Sequence, residues 1–300
     1  ISGSVFTLMK RIFEDYEEPL FGRANQKLLL QPFSTSVLKE ILADFNPNYT
    51  HEDLLALYSI TGGVPWYVSL LLDKGYVTKY QMLSALTEEN SPFINEGRNI
   101  LIEEFGTDYI TYFSILTCIA SGKKTRSEIE GELGIGNIGS YLARLENYYS
   151  LVSKSLPIFA KETSKKVRYQ LNDCFLIFWF RFFYKYQSLV ENKALSALND
   201  IIQRDYSSVS GFMMERYFAK KFEEEGKYVI GQWWDRKGEN EIDLIVVDPI
   251  AKEAWFYELK KQGERYSAKT LKEKMGVALA QTPEFRKMKT HYGSLSMEDM

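Results

Sequence analysis

Cysteine and histidine are scarce. The 300 residues hold two of each: Cys118, Cys174, His51 and His291. That excludes a disulfide framework, and no zinc-type spacing is present. Both cysteines lie in apolar surroundings and read as buried free thiols, which fits a reducing cytoplasm. A histidine-rich metal centre is excluded as well. Long apolar runs are also missing. The most apolar stretch, CFLIFWFRFFYKY (Cys174 to Tyr186), is interrupted by Arg181 and is shorter than the roughly 20 residues a membrane span needs. It reads as a buried or interface helix, and no signal peptide is visible. There is no GxxxxGK[ST] loop to cradle phosphates, and no strand bearing the aspartate that would hold their Mg2+. GIGNIG has no strand before it and lies between two helices, where it reads as a turn. The net charge of -3 excludes a wholly basic nucleic-acid binder but leaves room for a local basic face.

What is present is apolar and aromatic. The chain is 45% hydrophobic and 15% aromatic, which predicts large cores, and 300 residues are enough for about two domains. Residues 1–100 read as mainly helical. Phe6, Met9, Ile12 and Phe13 have helical spacing, and an extended GRANQKLLLQPFS segment follows. Thr35 to Phe45 is an amphipathic helix with Ser34 as N-cap. Glu52 to Gly62 is another, ended by Gly62-Gly63, and Pro65 opens the next. The chain begins ISGSV, without an initiator methionine, and reads as a piece of something longer.

Residues 101–207 have a different rhythm. DYITYFSILTCIASG, TRSEIEGELGI and GNIGSYLARLENYYS are three helices, followed by two strands around a lysine-bearing turn. Three short helices and a hairpin predict a winged helix-turn-helix, followed by the aromatic helix Asp173 to Gln187. Asn137, Ser140, Tyr141 and Arg144 on the third helix are candidate nucleic-acid contacts. The wing adds Lys154, Lys161, Lys165, Lys166 and Arg168. Winged helices also serve as protein interaction modules. A serine-rich break near residue 208 predicts a boundary.

Residues 208–300 predict an α/β domain in the order αβββαβ. GFMMERYFAKKFEEEG is its helix, and YVIGQWW, EIDLIVVD and AWFYELKKQ are successive strands. Strands have period two, so Glu241 and Asp243 share a face, as do Glu258 and Lys260. A turn at Asp248-Pro249 folds one strand onto the next and lets Asp243 meet Glu258. Opposed carboxylates favour a shared proton or a divalent cation, here Mg2+ or Mn2+. Lys260 could orient a water or help deprotonate it. The plainer alternative is a solvated hairpin with a Glu258–Lys260 surface pair. From Lys260 to Lys289 there are nine Lys and Arg against three acids. Lys261, Arg265 and Lys269 within this segment are candidate phosphate-backbone contacts.

Asp243 followed by Glu258-Leu259-Lys260 resembles the PD-(D/E)xK nuclease signature, over about 90 residues. The resemblance implies a restriction-endonuclease-like fold, with Asp243 and Glu258 as metal ligands, Lys260 as catalytic lysine and Glu215 as auxiliary ligand. Ile242 stands where the family has proline. At the other end, ISGSV with its helix, Gly22-Arg23 and Gly62-Gly63-Val64-Pro65 resemble the C-terminal half of an archaeal-type AAA+ ATPase. Ser4 matches a sensor region, Arg23 an arginine that faces a neighbouring nucleotide, and Gly62, Gly63 and Pro65 the helical lid. That family commonly continues into a winged helix and a nuclease-like domain, the order seen here. Since the phosphate loop is missing, ATP hydrolysis is expected of a full-length protein and not of this chain.

The expectation is therefore a multidomain chain: an α-helical lid, a winged helix-turn-helix and a restriction-endonuclease-like α/β domain. It would be a Mg2+- or Mn2+-dependent deoxyribonuclease acting on DNA, cytoplasmic and away from membranes. The alternative is an inactive nuclease-like and winged-helix module that binds DNA or a protein partner in a regulatory or defence ATPase, with self-association through the ATPase part.

Overall fold

The computed structural model describes residues 13–26, 28, 30–105, 108–261 and 266–300. Ser4 and Arg265 lie outside the described residues. The N-terminal part is helical. Helix α1 (Thr35–Phe45) starts where Ser34 Oγ accepts the Val37 amide, and it buries Thr35, Leu38 and Leu42. Helix α2 (His51–Thr61) has a reciprocal capping box between Thr50 and Asp53 and ends at Gly62 in the left-handed region. Every residue of α2 from Asp53 to Thr61 is buried, which marks it as the central helix of this part. Helices α3 (Pro65–Leu72), α4 (Lys79–Ala85) and α5 (Pro92–Phe105) follow.

Helices α6 (Tyr109–Ala120), α7 (Arg126–Leu133) and α8 (Gly139–Asn147) lead into strands β1 (Val152–Ser155) and β2 (Arg168–Leu171), an antiparallel pair. The three helices and hairpin expected from sequence are present in that order. Buried Tyr112 sits among Phe105, Tyr141 and Tyr149 at ring distances of 4.5 to 5.5 Å. The aromatic stretch that follows is not one α-helix. Helix α9 (Cys174–Trp179) passes into a π-helical turn at Phe180–Tyr184, then α10 (Gln187–Glu191). Both cysteines are buried free thiols, as expected.

The serine-rich stretch near residue 208 is not a break. It lies inside α11 (Leu195–Glu223), a single helix of 29 residues, so the boundary drawn at 207/208 falls within one element. Ser208 Oγ donates to the Asp205 carbonyl and Ser210 Oγ to the Ser207 carbonyl, so the hydroxyls bond within the helix instead of interrupting it. Tyr206, Val209, Met213 and Tyr217 are buried along it, and Tyr217 meets Tyr58 of α2 edge to face. Helix α11 thus joins the N-terminal helices to the C-terminal sheet.

That sheet has four strands in the order β3-β4-β5-β6: β3 (Val229–Trp234), β4 (Glu241–Asp248), β5 (Glu253–Leu259) and β6 (Lys289–Leu295). The first two pairings are antiparallel and β5–β6 is parallel. Helix α12 (Ala268–Gln281) makes the crossover between β5 and β6. The sheet is covered on both faces. Leu244 and Val246 join the core that contains α11, whereas Ile242, Ile245, Val247 and Phe256 pack with Leu271 and Ala278 of α12. The loop between β1 and β2 reaches across to this second core. Ile158 packs into it and donates its amide to the Gln232 carbonyl at 2.8 Å, on the sheet's edge strand. Gly231 makes this approach possible, since a Cβ there would lie 2.9 Å from the Ile158 Cβ. Among the described residues no helix is long and apolar enough to cross a membrane.

Candidate active site

Strand β4 is irregular where Asp243 sits. Gly231 pairs with Ile245 and Trp233 with Ile242, so Gln232 alone faces both Asp243 and Leu244. This is a β-bulge, a device that re-aims side chains and is common beside active sites. The burial pattern carries its mark: Ile242 and Ile245 face α12 while Leu244 faces α11. Gln232 braces the bulge, donating Nε2–H to the Asp243 carbonyl at 3.1 Å and to Glu215 Oε2 at 3.3 Å.

On the other side, β4 pairs with β5 from Leu244↔Tyr257 to Asp248↔Glu253. One further step of this register sets Asp243 opposite Glu258. The ladder ends there because the Leu259 amide donates to Asp243 Oδ2, at 2.9 Å. The Asp243 carboxylate therefore stands where the two strands part, beside Glu258 and Lys260. Burial pushes its pKa above the ordinary value. The Leu259 amide and the ammonium groups of Lys260 and Lys274 pull it back in part, and Glu258 adds to the push.

Glu258 is 7% exposed. Its Oε1 accepts from Lys260 Nζ at 2.9 Å, with Lys274 Nζ of α12 at 3.9 Å. Its Oε2 is buried without a hydrogen-bond partner. The pair is thus no solvated surface pair. The hydrogen bond to Glu258, aided by the charges of Asp243 and Glu215, raises the Lys260 pKa, so at neutral pH it is a cation and a donor. As placed it can orient groups, and it has no free lone pair with which to take up a proton.

Glu215 comes from α11. Burial, with the Asp243 charge next, pushes its carboxyl up to about 8, against the opposing pull of Lys124 and the Gln232 hydrogen bond. Glu215 and Asp243 both line a cavity of 330 Å³ between α11, β3 and the β1–β2 hairpin. Glu241, two residues before Asp243, accepts Arg168 Nη1 and Nη2 at 2.7 and 3.1 Å and Lys124 Nζ at 3.2 Å. The structure thus brings Asp243, Glu258 and Lys260 together, with Glu215 coupled to Asp243 through Gln232. Among the described residues, however, no group of three or more His, Cys, Asp or Glu side chains is close enough to hold a metal ion. Glu258 Oε1 is turned to lysine, Asp243 Oδ2 to an amide and Glu215 Oε2 to Gln232.

Several of the expected nucleic-acid contacts have partners within the chain. Arg144 lies over the rings of Tyr112 and Tyr149, 5.9 Å from each. Lys154 pairs with Glu146. Lys166 lies 5.6 Å from the Trp233 ring centre, and Arg168 clamps Glu241 with its guanidinium 4.2 Å over Trp234. Lys261 lies 5.9 Å from the Tyr206 ring, and burial lowers its pKa. Lys154, Lys161, Lys165 and Lys269 are exposed. Among the lid residues, Gly63 has φ +80°, and its carbonyl accepts the Phe33 amide at 2.8 Å. Gly62 caps α2 and Pro65 opens α3. Arg23 lies in the turn region before α1, where its amide donates to the Leu20 carbonyl. The site residues missed from sequence are Gln232 and Lys274. Lys274 had a signal: it follows Leu271 by three positions and precedes Ala278 by four, which places a lysine on the inward stripe of α12.

These features define an α/β unit with a carboxylate–lysine site at the end of a strand pair. A family model described as "Archaea bacterial proteins of unknown function" (DUF234) matches residues 179–273, which include Glu215, Asp243, Glu258 and Lys260. The chain is also 31% identical over 271 residues to the uncharacterized protein MJECL04 of Methanocaldococcus jannaschii. That similarity covers 87% of this chain and spans 58% of the length of the relative. No solved structure matches the chain.

Proposed function

We propose that the C-terminal α/β unit is a metal-dependent nuclease acting on DNA, with the PD-(D/E)xK site at Asp243, Glu258 and Lys260. The observation that carries this reading is the Glu258 Oε2 atom, buried and unpartnered beside Asp243. Leaving a buried acceptor unsatisfied costs about 1–3 kcal/mol, and more when it is charged. A divalent cation would satisfy it. Asp243 and Glu258 are hard oxygen donors of the kind Mg2+ and Mn2+ take. Glu215, behind Gln232, would be the auxiliary acid. When bound, such a cation would offset charge on the phosphoryl oxygens.

The chain's own groups then have distinct tasks. The Leu259 amide fixes the Asp243 carboxylate at the strand end. Lys260, held as an ammonium, fixes Glu258 and offers positive charge to the phosphate. In hydrolysis a water oxygen bonds to phosphorus and the bond from phosphorus to one deoxyribose oxygen breaks. One water proton goes to the leaving oxygen and the other to solvent. Exposed Lys161, Lys165 and Lys269 are candidates for backbone contact. On the resemblance to archaeal-type AAA+ ATPases, this unit would serve as the effector end of an ATP-dependent protein. The winged-helix reading of α6–α8 and β1–β2 belongs to the same proposal.

Supercoiled plasmid incubated with the protein and Mg2+ or Mn2+ tests it. Nicked or linear product is expected, lost in Asp243→Asn and Lys260→Met. Undiminished cutting by either variant would refute the site. Tight, salt-sensitive DNA binding without cutting would turn the reading to the binding module.

A further inference from the structure

Helix α12 is amphipathic, and one of its lysines is on the wrong side. Lys269 and Lys272 are exposed, and the ammonium of Lys272 rests 4.7 Å from the centre of the Tyr292 ring. Lys274 instead shares the inward stripe with Leu271 and Ala278, and its side chain is 23% exposed. A charge on a stripe that packs against a sheet is costly unless it is compensated. The compensation comes from the site: Glu258 Oε1 is 3.9 Å from Lys274 Nζ, and Asp243 lies within its field.

The two lysines are not equivalent. Lys260 is at hydrogen-bond distance from Glu258, 2.9 Å, and comes from the same strand. Lys274 stands a full ångström farther off and on another element, and its side chain is the less exposed of the two, 23% against 36% for Lys260. A contact of 3.9 Å is an ion pair without a hydrogen bond, so donors of the Lys274 ammonium remain for another acceptor. Charge balance points the same way. Asp243 and Glu258 bring two negative charges, which Lys260 and Lys274 offset. The two charges of a divalent cation then face the two that a phosphodiester carries as it becomes five-coordinate.

We propose that Lys274 is a catalytic residue of this site, donating to a non-bridging oxygen of the scissile phosphodiester while Lys260 holds Glu258. This rests on the nuclease reading above. The reacting charge grows on those oxygens, and a preorganised donor aimed at growing charge contributes more in the transition state than in the ground state.

The test uses the whole chain with a labelled DNA duplex and Mn2+. Single-turnover cleavage and Mn2+ affinity are measured for the wild type, Lys274→Gln, Lys274→Arg and Asp243→Asn. Lys274→Gln is expected to cut about a hundredfold more slowly, the usual loss for one such donor, with Mn2+ affinity unchanged. Lys274→Arg should recover part of the rate, which a misfolded site would not do. Wild-type cutting by Lys274→Gln, or Mn2+ affinity falling in step with its rate, overturns the role of Lys274 and leaves the site reading intact. A wild-type protein that neither binds Mn2+ through Asp243 nor cuts the duplex overturns both.

Discussion

The contact between the β1–β2 hairpin and β4 can be tested quantitatively through Arg168→Met. Arg168 makes two hydrogen bonds to Glu241 and lies over Trp234; the side chains of the pair are 13% and 28% exposed. Removing one partner of a buried ion pair typically costs about 3–5 kcal/mol, because the other charge is left uncompensated. Here Lys124 stays 3.2 Å from Glu241, and the carboxylate keeps some access to water, so the loss falls at or below the lower end of that range. A loss of about 2–3 kcal/mol is expected, or roughly 3–5 °C in melting temperature for a chain of this size. Burial pushes the Glu241 pKa up, but the Arg168 hydrogen bonds and the charges of Lys124 and Arg168 bring it below its ordinary value. A lowered carboxyl stabilises the fold above its unfolded pKa, about 4.3, and the contribution is lost as pH falls through the folded value. The gap between wild type and variant should be constant from about pH 5 to 8 and narrow below about pH 4. Chemical denaturation across that range, with a cycle through Glu241→Gln, measures both effects. If Arg168→Met costs as much in the Glu241→Gln background as in wild type, the ion pair is not what holds the hairpin to the sheet.

Two further outcomes follow from single residues. The Glu215 pKa is raised to about 8, so the folded chain holds a proton the unfolded chain releases near 4.3, and stability falls as pH rises through that window. Glu215→Gln should remove the decline, melting increasingly above wild type from pH 5 to pH 8; parallel curves would count against the burial of this carboxyl. Gly63 has φ +80°, and an added Cβ would lie 2.7 Å from the Phe33 carbonyl oxygen. Gly63→Ala should therefore cost about 1–3 kcal/mol in denaturant unfolding, whereas a neutral result would show that α1 and α2 can separate cheaply.

Much of the architecture was legible because it depends on local rules. Ser34 caps its helix where its side chain suggested, and Gly62 and Pro65 stop and restart the chain. The three strands before α12 appear where apolar runs alternate with turn residues. The serine-rich break near residue 208 is instead helical, for an equally physical reason. Serines read as a break in sequence, but here their hydroxyls bond back to helix carbonyls while Tyr206, Val209 and Met213 bury the same turns. The wing lysines and arginine suggested a nucleic-acid face. Charge in a sequence has no direction, and Lys154, Lys166 and Arg168 point to Glu146, Trp233 and Glu241.

The sequence by itself determined that Asp243, Glu258 and Lys260 would converge, because strand period and a short turn leave few registers for two adjacent strands. It could not show that Gln232 faces two residues of β4, that the Leu259 amide closes the ladder on Asp243, or that Lys274 comes in from α12. Those are contacts between segments far apart in the chain or at a bulge, where local propensity carries no information. Only packing of the sheet between α11 and α12 decided them. Burial between the two layers then pushed the Asp243 and Glu215 carboxyls above their ordinary values and left Glu258 Oε2 without a hydrogen-bond partner.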